Sequence, residues 1–418
     1  MIFFAGSLNM NGGSTFLLRV AKQYHARKER ITVLVLSNVV DHVVRAELST
    51  FADIVMLHEL LHPALKWVGT NHVSIFLPCD KRKVSALLER NNNAVHVMGI
   101  FGMVLAMRWL SICSGIKISA GVYHQNEYLF EAGDSFSANI RHLFCNIPEQ
   151  NILFFNEFNR DTYAKFFDKN YSAAPILPIG ISLPHIPVED ERGYVPGLIV
   201  SIGNLVPFKT YNEHVIRLIA ELKEDYPTLR YEIYGAGENE PKLRQLAEEL
   251  RVVEKVEFKG AIPYDQFSAV VSHAMAFVGS GTALIEAAAL GVPSIVGIES
   301  IATPDTYGLI SDVSGLSYNE KIDGRPLIAI RSVIIRLLGS EKEVAVAGTA
   351  CSLKAKEFSI DKTVDGLHKL SDNALVLRCA KSTMYWWRTL GAFVKVAAFD
   401  RLGVDRTLRD RRNQSSHV

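Results

Sequence analysis

The sequence predicts an α/β protein built from two doubly wound parallel-sheet domains in tandem. Three observations carry this. Short apolar runs alternate with helix-periodic segments through roughly the first 125 residues. The alternation breaks at a stretch of turn and acidic residues and then restarts. The apolar runs read as strands buried on both faces, which is how a parallel sheet covered by helices looks in sequence.

The elements follow in order. Ile2 to Ala5 is a first strand, followed by Gly-, Ser- and Asn-rich residues. From Gly12 the pattern is helical, with Phe16, Leu17, Val20, Ala21 and Tyr24 at spacings of three and four. Ile31 to Leu36, Asp53 to Leu57, Val73 to Leu77, Val95 to Met98 and Ile116 to Tyr123 are further strand-like runs. Ile100 to Cys113, interrupted by Arg108, is too short to span a bilayer and reads as a buried helix. Pro184 to Pro196 carries Pro187, Glu189-Asp190-Glu191 and Gly193, the marks of a linker. Strands are then expected at Leu198–Ile202, Arg230–Tyr234, Val256–Phe258, Ala274–Val278 and Ser294–Ile298. Helices are expected at Asn212–Tyr226, Pro241–Leu250 and Ala283–Leu290. The expected organisation is an N-terminal domain over 1–185, a linker over 186–196, a C-terminal domain over 197–375 and a helical tail over 376–418. Parallel strands should be joined by right-handed crossovers, with a cleft between the domains.

Composition excludes several classes. Hydrophobic residues at 48% and charged residues at 21% argue against disorder. A net charge of +1 gives no global reason to bind nucleic acid. The cysteines (Cys79, Cys113, Cys145, Cys351, Cys379) form no CxxC pair, which argues against a cysteine zinc site and fits a reducing cytoplasm. The first apolar residues lack a basic region before them and a cleavage site after them, so they read as a strand rather than a signal peptide. His58-Glu59-Leu60-Leu61-His62 matches the H-E-x-x-H zinc pattern. Pro63 follows directly and disfavours the helix on which that pattern depends, so the match reads as chance. No D-x-D occurs. Neither a metal nor a cofactor is expected.

Candidate chemistry lies in the second half. Gly203-Asn204 follows a strand, where a glycine lets backbone amides approach a phosphate, and Lys209 adds a cation. Tyr234-Gly235-Ala236-Gly237 is a second strand-end turn, by itself as compatible with a structural role as with a ligand. Gly279-Ser280-Gly281-Thr282 opens a short helix whose free amides and dipole suit a pyrophosphate. Glu286, set among Ala287, Ala288 and Ala289 on a helix expected to be buried, suits a ribose diol or another partner.

These segments resemble the large retaining glycosyltransferase family 4, which has the GT-B fold of two Rossmann-like domains facing a central cleft. Pro178-Ile179-Gly180-Ile181 resembles the segment leading into the family's linker, Gly12-Gly13 the glycine pair opening its first helix, and Tyr123-His124-Gln125-Asn126 its strand-end histidine segment. The resemblance implies transfer of a sugar from a nucleoside diphosphate donor, held by the C-terminal domain over 197–375, to a carbohydrate or lipid-linked acceptor, held by the N-terminal domain over 1–185, in cell-surface polysaccharide or glycoconjugate synthesis. It implies donor contacts from Gly12, Gly13, Gly203, Asn204, Lys209, Gly235, Gly237, Gly279, Ser280, Gly281, Thr282 and Glu286, with His124 and Lys209 as the catalytic candidates. There are departures. Asn204 stands where the family has arginine, and Thr210 replaces the glycine after Lys209. Val278, eight positions before Glu286, stands where the family has a glutamate near the donor sugar, which leaves the stereochemical outcome open. A GT-B nucleotide-sugar epimerase and an inactive sugar-nucleotide-binding protein remain alternatives.

The tail begins with Met384-Tyr385-Trp386-Trp387-Arg388, an aromatic and amphipathic segment running to Leu402. Basic residues (Lys381, Arg388, Lys395, Arg401, Arg406, Arg409, Arg411, Arg412) outnumber acidic ones there. It is expected either to pack back on the N-terminal domain or to touch a membrane surface. The expected location is the cytoplasm, with the tail as a means of reaching the inner membrane face.

Overall fold

The computed structural model describes residues 1–9, 11–131, 135–184, 193–377 and 384–401. The chain divides into two compact units: Met1–Ile179 together with the chain from Ile360 onward, and Gly180–Ser359.

The first unit begins β1 (Ile2–Ala5), α1 (Gly12–Ala26), β2 (Ile31–Val35), α2 (His42–Phe51) and β3 (Ala52–Met56). It continues α3 (Lys81–Arg90), β4 (Ala94–Met98), α4 (Ile100–Trp109), β5 (Lys117–Gly121), α5 (Ser135–Cys145), β6 (Ile152–Leu153) and α6 (Glu157–Phe167). The helices start where short polar side chains can accept the first amides: Asn11 caps α1, Asp41 caps α2, Asp80 caps α3 and Asn156 caps α6. The sheet is parallel with strand order β3-β2-β1-β4-β5-β6. Its two faces bury alternate residues of each strand. Phe3 and Val33 lie in one apolar cluster with α1 side chains, and Ile2, Phe4 and Leu34 lie in another with those of α3 and α4.

The second unit runs β7 (Val195–Ile202), α7 (Tyr211–Leu222), β8 (Arg230–Tyr234), α8 (Glu240–Glu249), β9 (Val256–Gly260) and α9 (Phe267–Val271). It ends β10 (Ala274–Gly279), α10 (Gly281–Ala289), β11 (Ser294–Val296), α11 (Ile330–Gly339) and α12 (Glu341–Ala355). Its parallel sheet has the order β11-β10-β7-β8-β9. In each unit the strand order reverses next to the first strand, at β1/β4 and at β7/β10. This is the doubly wound, Rossmann-like topology, repeated as in the GT-B fold.

Two expectations are corrected. Val73 to Leu77 is not a strand but contains a 3-10 turn, Ser74–Phe76. Asn71 accepts the amides of Val73 and Ser74 and turns the chain, while Ile75 and Phe76 are buried. Arg108, the charge that interrupts the apolar α4, donates to the carbonyls of Ile75 and Leu77. The second correction concerns the domain boundary. The region expected over 197–375 gives up its last helix, α13 (Ile360–Asn373), to the first unit. Ile360, Val364, Leu367 and Leu370 join the cluster that contains Phe16 and Leu17 of α1. Thr363 Oγ1 donates to the Pro178 carbonyl at 2.9 Å. The second unit begins at Gly180, and the Ile181 amide bonds the Phe358 carbonyl at 2.8 Å. Of the linker expected over 186–196, residues through 192 lie outside the described residues, and Val195 and Pro196 belong to β7.

The tail helix α14 (Met384–Arg401) packs on the first unit. Phe393 lies against Phe76, Phe101 and Phe136, and Thr389 Oγ1 accepts a bond from Asn139 at 2.8 Å. Lys381, Arg406, Arg409, Arg411 and Arg412 lie outside the described residues. Among the described residues no helix is long and apolar enough to cross a membrane.

The four tryptophans, Trp67, Trp109, Trp386 and Trp387, all belong to the first unit, so tryptophan fluorescence reports its unfolding alone. Leu367→Ala is expected to destabilise that unit by about 2–5 kcal/mol through cavity formation. A denaturant midpoint equal to wild type by fluorescence would mean α13 is not part of this core.

Candidate functional site

In the second unit, the reversal at β7/β10 sets the loops leaving the two strands at the same edge, where open α/β sheets bind ligands. The loop after β7 starts at Gly203, whose amide bonds the Tyr234 carbonyl at 3.0 Å. A Cβ at Gly203 would stand 2.9 Å from Lys209 Nζ, so the ammonium lies directly over this backbone. The Lys209 amide bonds the Val206 carbonyl at 3.1 Å, the turn that folds the lysine back. Asn204 is exposed beside it.

Gly235 and Gly237 support this loop. A Cβ at Gly235 would strike the Gly203 carbonyl, and one at Gly237 the Leu205 carbonyl. Leu205 exchanges backbone bonds with Ala236 and Asn239, each at 3.0 Å. The G-x-G turn thus fixes where Gly203 and Lys209 sit.

The start of α10 is unusual. Ser280 occupies the capping position with extended backbone but makes no capping bond. Its hydroxyl donates instead to Glu299 Oε1 at 2.9 Å. The Gly281 amide goes to Asn319 Oδ1 at 2.8 Å, and Tyr318 OH donates to the Gly281 carbonyl at 3.1 Å. A helix begun this way keeps first-turn amides and the positive end of its dipole for a ligand. Thr282 is half-buried in that turn. Glu286, on the next turn, is 9% exposed and accepts a bond from Tyr264 OH at 3.1 Å. Tyr264 is itself 60% exposed.

Glu299 is the residue that the sequence reading missed. It follows β11, whose partner β10 ends at Gly279, and the Gly297 amide bonds the Gly279 carbonyl at 2.7 Å. The Glu299 amide bonds the Asn319 carbonyl at 2.8 Å, and Ser300, at φ 57°, bonds Phe208 at 2.7 Å. Burial pushes the Glu299 carboxyl above its usual range, while the Ser280 hydrogen bond and the Lys209 charge oppose that rise. A charged residue directly after an apolar strand run was the available signal. Asn319 and Tyr318 lie in irregular chain and carry no such signal. Val278 is fully buried in the hydrophobic core, paired with Ile295.

The remaining candidates lie in the first unit. Gly12 and Gly13 open α1, whose cap is Asn11. His124 is half-buried after β5, and its Nδ1 accepts the Asn126 amide at 3.3 Å. The H-E-x-x-H stretch is split between two 3-10 turns. His58 Nδ1 pairs with Thr70 Oγ1 at 2.7 Å, and His62 Nδ1 accepts the Ala64 amide at 3.4 Å. Among the described residues no group of three or more His, Cys, Asp or Glu could hold a metal ion.

Residues 195–304 match the family model described as Glycosyl transferases group 1. A GDP-mannose-dependent alpha-(1-6)-phosphatidylinositol monomannoside mannosyltransferase of Mycolicibacterium smegmatis is 28% identical over 223 residues, 48% of this chain. The chain spans only 56% of that relative's length. The solved structure of Anabaena Alr3699/HepE, in complex with UDP and glucose, aligns with TM-score 0.60 at 10% identity, covering 89% of this chain and 99% of that one. A glycosyltransferase from Rickettsia africae aligns with TM-score 0.59 at 11% identity, covering 89% and 97%. WaaG, a glycosyltransferase involved in lipopolysaccharide biosynthesis, aligns with TM-score 0.54 at 13% identity, covering 89% and 99%. These likenesses establish the GT-B fold.

The Glu299 shift has a stability consequence. Its folded pKa lies above the unfolded value, so the native state binds the proton more readily. Ionised Glu299 therefore costs stability at neutral pH, and the cost vanishes as pH falls through the raised pKa toward the ordinary carboxylate value. Glu299→Gln keeps an acceptor for Ser280 and is expected to unfold at a higher temperature than wild type at neutral pH, the two converging in acid. Thermal melts across that range check this; a less stable variant at neutral pH would refute it.

Proposed function

We infer that this chain, whose residues 195–304 match the group 1 glycosyl transferase model, moves a sugar from a nucleoside diphosphate sugar to a carbohydrate or lipid-linked acceptor. The observation that carries the reading is the open start of α10 beside Lys209 at the β7/β10 reversal. Backbone amides and one cation converge there, which is the chemistry of a diphosphate. Lys209 and the α10 amides meet the charge that develops on the leaving diphosphate, a route that needs no metal. Glu286, with Tyr264 on its carboxylate, faces the ribose hydroxyls. Gly203, Asn204, Gly279, Ser280, Gly281 and Thr282 form the wall around the donor, with Gly235 and Gly237 beneath. By resemblance, His124 contacts the donor sugar or the acceptor, and Gly12 and Gly13, which open α1, contact the donor. The printed names of the relatives support donors of this class, GDP-mannose in one and UDP with glucose in another. Configuration is retained on this reading, by resemblance. The acceptor belongs to cell-surface polysaccharide or glycoconjugate synthesis. The reaction takes place in the cytoplasm, at the inner membrane face where the acceptor is lipid-linked.

Val278 and Asn204 favour a second reading, a protein that binds sugar nucleotides without turning them over. Incubation with a panel of nucleotide sugars and acceptors, following nucleotide release and product, separates the readings. Product formed only with acceptor supports transfer. Conversion of the donor alone indicates an epimerase, and tight donor binding without turnover indicates the inactive binder.

Lys209→Ala is expected to lower turnover by on the order of 10²–10³. Glu286→Ala is expected to weaken nucleotide binding by about tenfold. Calorimetry giving wild-type nucleotide affinity in the Glu286 variant would remove that residue from the site. His124→Ala is expected to reduce turnover more than nucleotide affinity, and unchanged turnover at saturating substrate would exclude a catalytic role.

A further inference from the structure

Ser280 has the position and the backbone of a helix cap without acting as one. Its φ of −131° and ψ of 170° are the extended angles from which a serine side chain accepts a first-turn amide. Rotation about χ1 alone would carry its oxygen to the amide of Thr282 or Ala283, the second and third residues of α10. Both residues are half-buried and precede the fully buried Leu284. Serine is also among the residues that favour this position most, so its failure to cap needs a cause.

The cause is Glu299. The Ser280 hydroxyl donates to Glu299 Oε1 at 2.9 Å, the one hydrogen bond this carboxylate makes among the described residues. The carboxylate is anchored from its own backbone. The Glu299 amide bonds the Asn319 carbonyl at 2.8 Å, and the Gly297 amide bonds the Gly279 carbonyl at 2.7 Å. Ser300, at φ 57°, donates its amide to the carbonyl of Phe208, the residue before Lys209, at 2.7 Å. The segment that carries Glu299 is thus tied both to the end of β10 and to the loop that carries the lysine. Asn319 also takes the Gly281 amide through its side chain at 2.8 Å. One first-turn amide is used by the fold, and the next two are left without a cap.

The arrangement is costly by itself. A carboxylate buried beside an anion site raises its own pKa and opposes the anion. An anion and a serine cap compete for the same amides, so drawing the serine away favours the anion. We propose that Glu299 is a positioning residue that holds Ser280 out of the cap of α10, so that the Thr282 and Ala283 amides stay free for an anionic ligand. That this ligand is the diphosphate of the donor rests on the transferase reading; the competition for the amides does not.

The test uses the full chain, with UDP and GDP as probes by calorimetry, thermal melts at neutral pH, and amide hydrogen exchange at Thr282 and Ala283 without ligand. In Glu299→Ala the serine is free to cap. One of the two amides is expected to exchange about fivefold more slowly, and the nucleotides to bind about fivefold more weakly. The melting temperature is expected to be at least that of wild type, since a cap is gained and a buried charge removed. In a Ser280→Ala background the same substitution is expected to change exchange and affinity by less than about twofold, because no hydroxyl remains to cap. Glu299→Gln keeps an acceptor for Ser280 and is expected to recover the exchange rate and most of the affinity lost in the alanine variant. Equal losses in both backgrounds, wild-type exchange in Glu299→Ala, or a Glu299→Ala variant less stable than wild type each overturn the proposal. If exchange behaves as expected but wild type binds neither nucleotide, the donor-site reading falls and the role of Glu299 at the cap stands. If both nucleotides bind with an affinity that does not depend on Glu299, the donor-site reading stands and the role of Glu299 falls.

Discussion

The first amides of an α-helix have no partner inside the helix, and in the second unit Ser280 leaves those of α10 uncapped, with only the Gly281 amide taken by the Asn319 side chain. Ser280 stands where a cap belongs, yet its proton goes to Glu299. Glu299 is held in turn through its own amide on Asn319, whose side chain takes up the Gly281 amide. On the opposite bank, Lys209 lies over Gly203, and that loop rests on Gly235 and Gly237 with no room for a side chain between. These parts constrain one another. A shift in the G-x-G turn moves the lysine, and a shift at Glu299 frees Ser280 to close the helix end.

The two units solve the same backbone problem with opposite charge. Each reverses strand order beside its first strand, and each places a helix start at the reversal. At β7/β10 the helix start lies open beside a lysine. At β1/β4 it is covered by the Glu127 carboxylate. Topology places both helix starts at a strand-order reversal, while a single side chain of opposite sign lies at each, within the first turn over which the dipole end acts.

The tail helix completes the packing of the first unit. Phe393 of α14 sits among Phe76, Phe101 and Phe136, so the far end of the chain packs among aromatic side chains of that unit. Aromatic residues beside cations suited a membrane surface and a protein core equally well in sequence. Within the described residues Phe393 is used for the core.

The sequence by itself determined the two sheets apart from the edge strand β6, their parallel pairing and the Gly203, Gly235 and Gly279 turns. All of these rest on local signals, apolar runs bounded by glycines and helical spacing between them. It also placed Lys209 and Glu286 on the correct elements. Where it failed, the deciding contact was distant in the chain. Val73 to Leu77 has a strand's composition, but Asn71 turns it and Arg108 takes its carbonyls. The α13 segment has an ordinary amphipathic pattern, and nothing in that pattern says that its apolar face belongs against α1 rather than the nearer unit. The sequence reading singled out neither Glu299 nor Glu127. Only the tertiary structure brought one to Ser280 and Lys209 and the other to the start of α4, because burial and field at a carboxylate depend on what the fold packs around it.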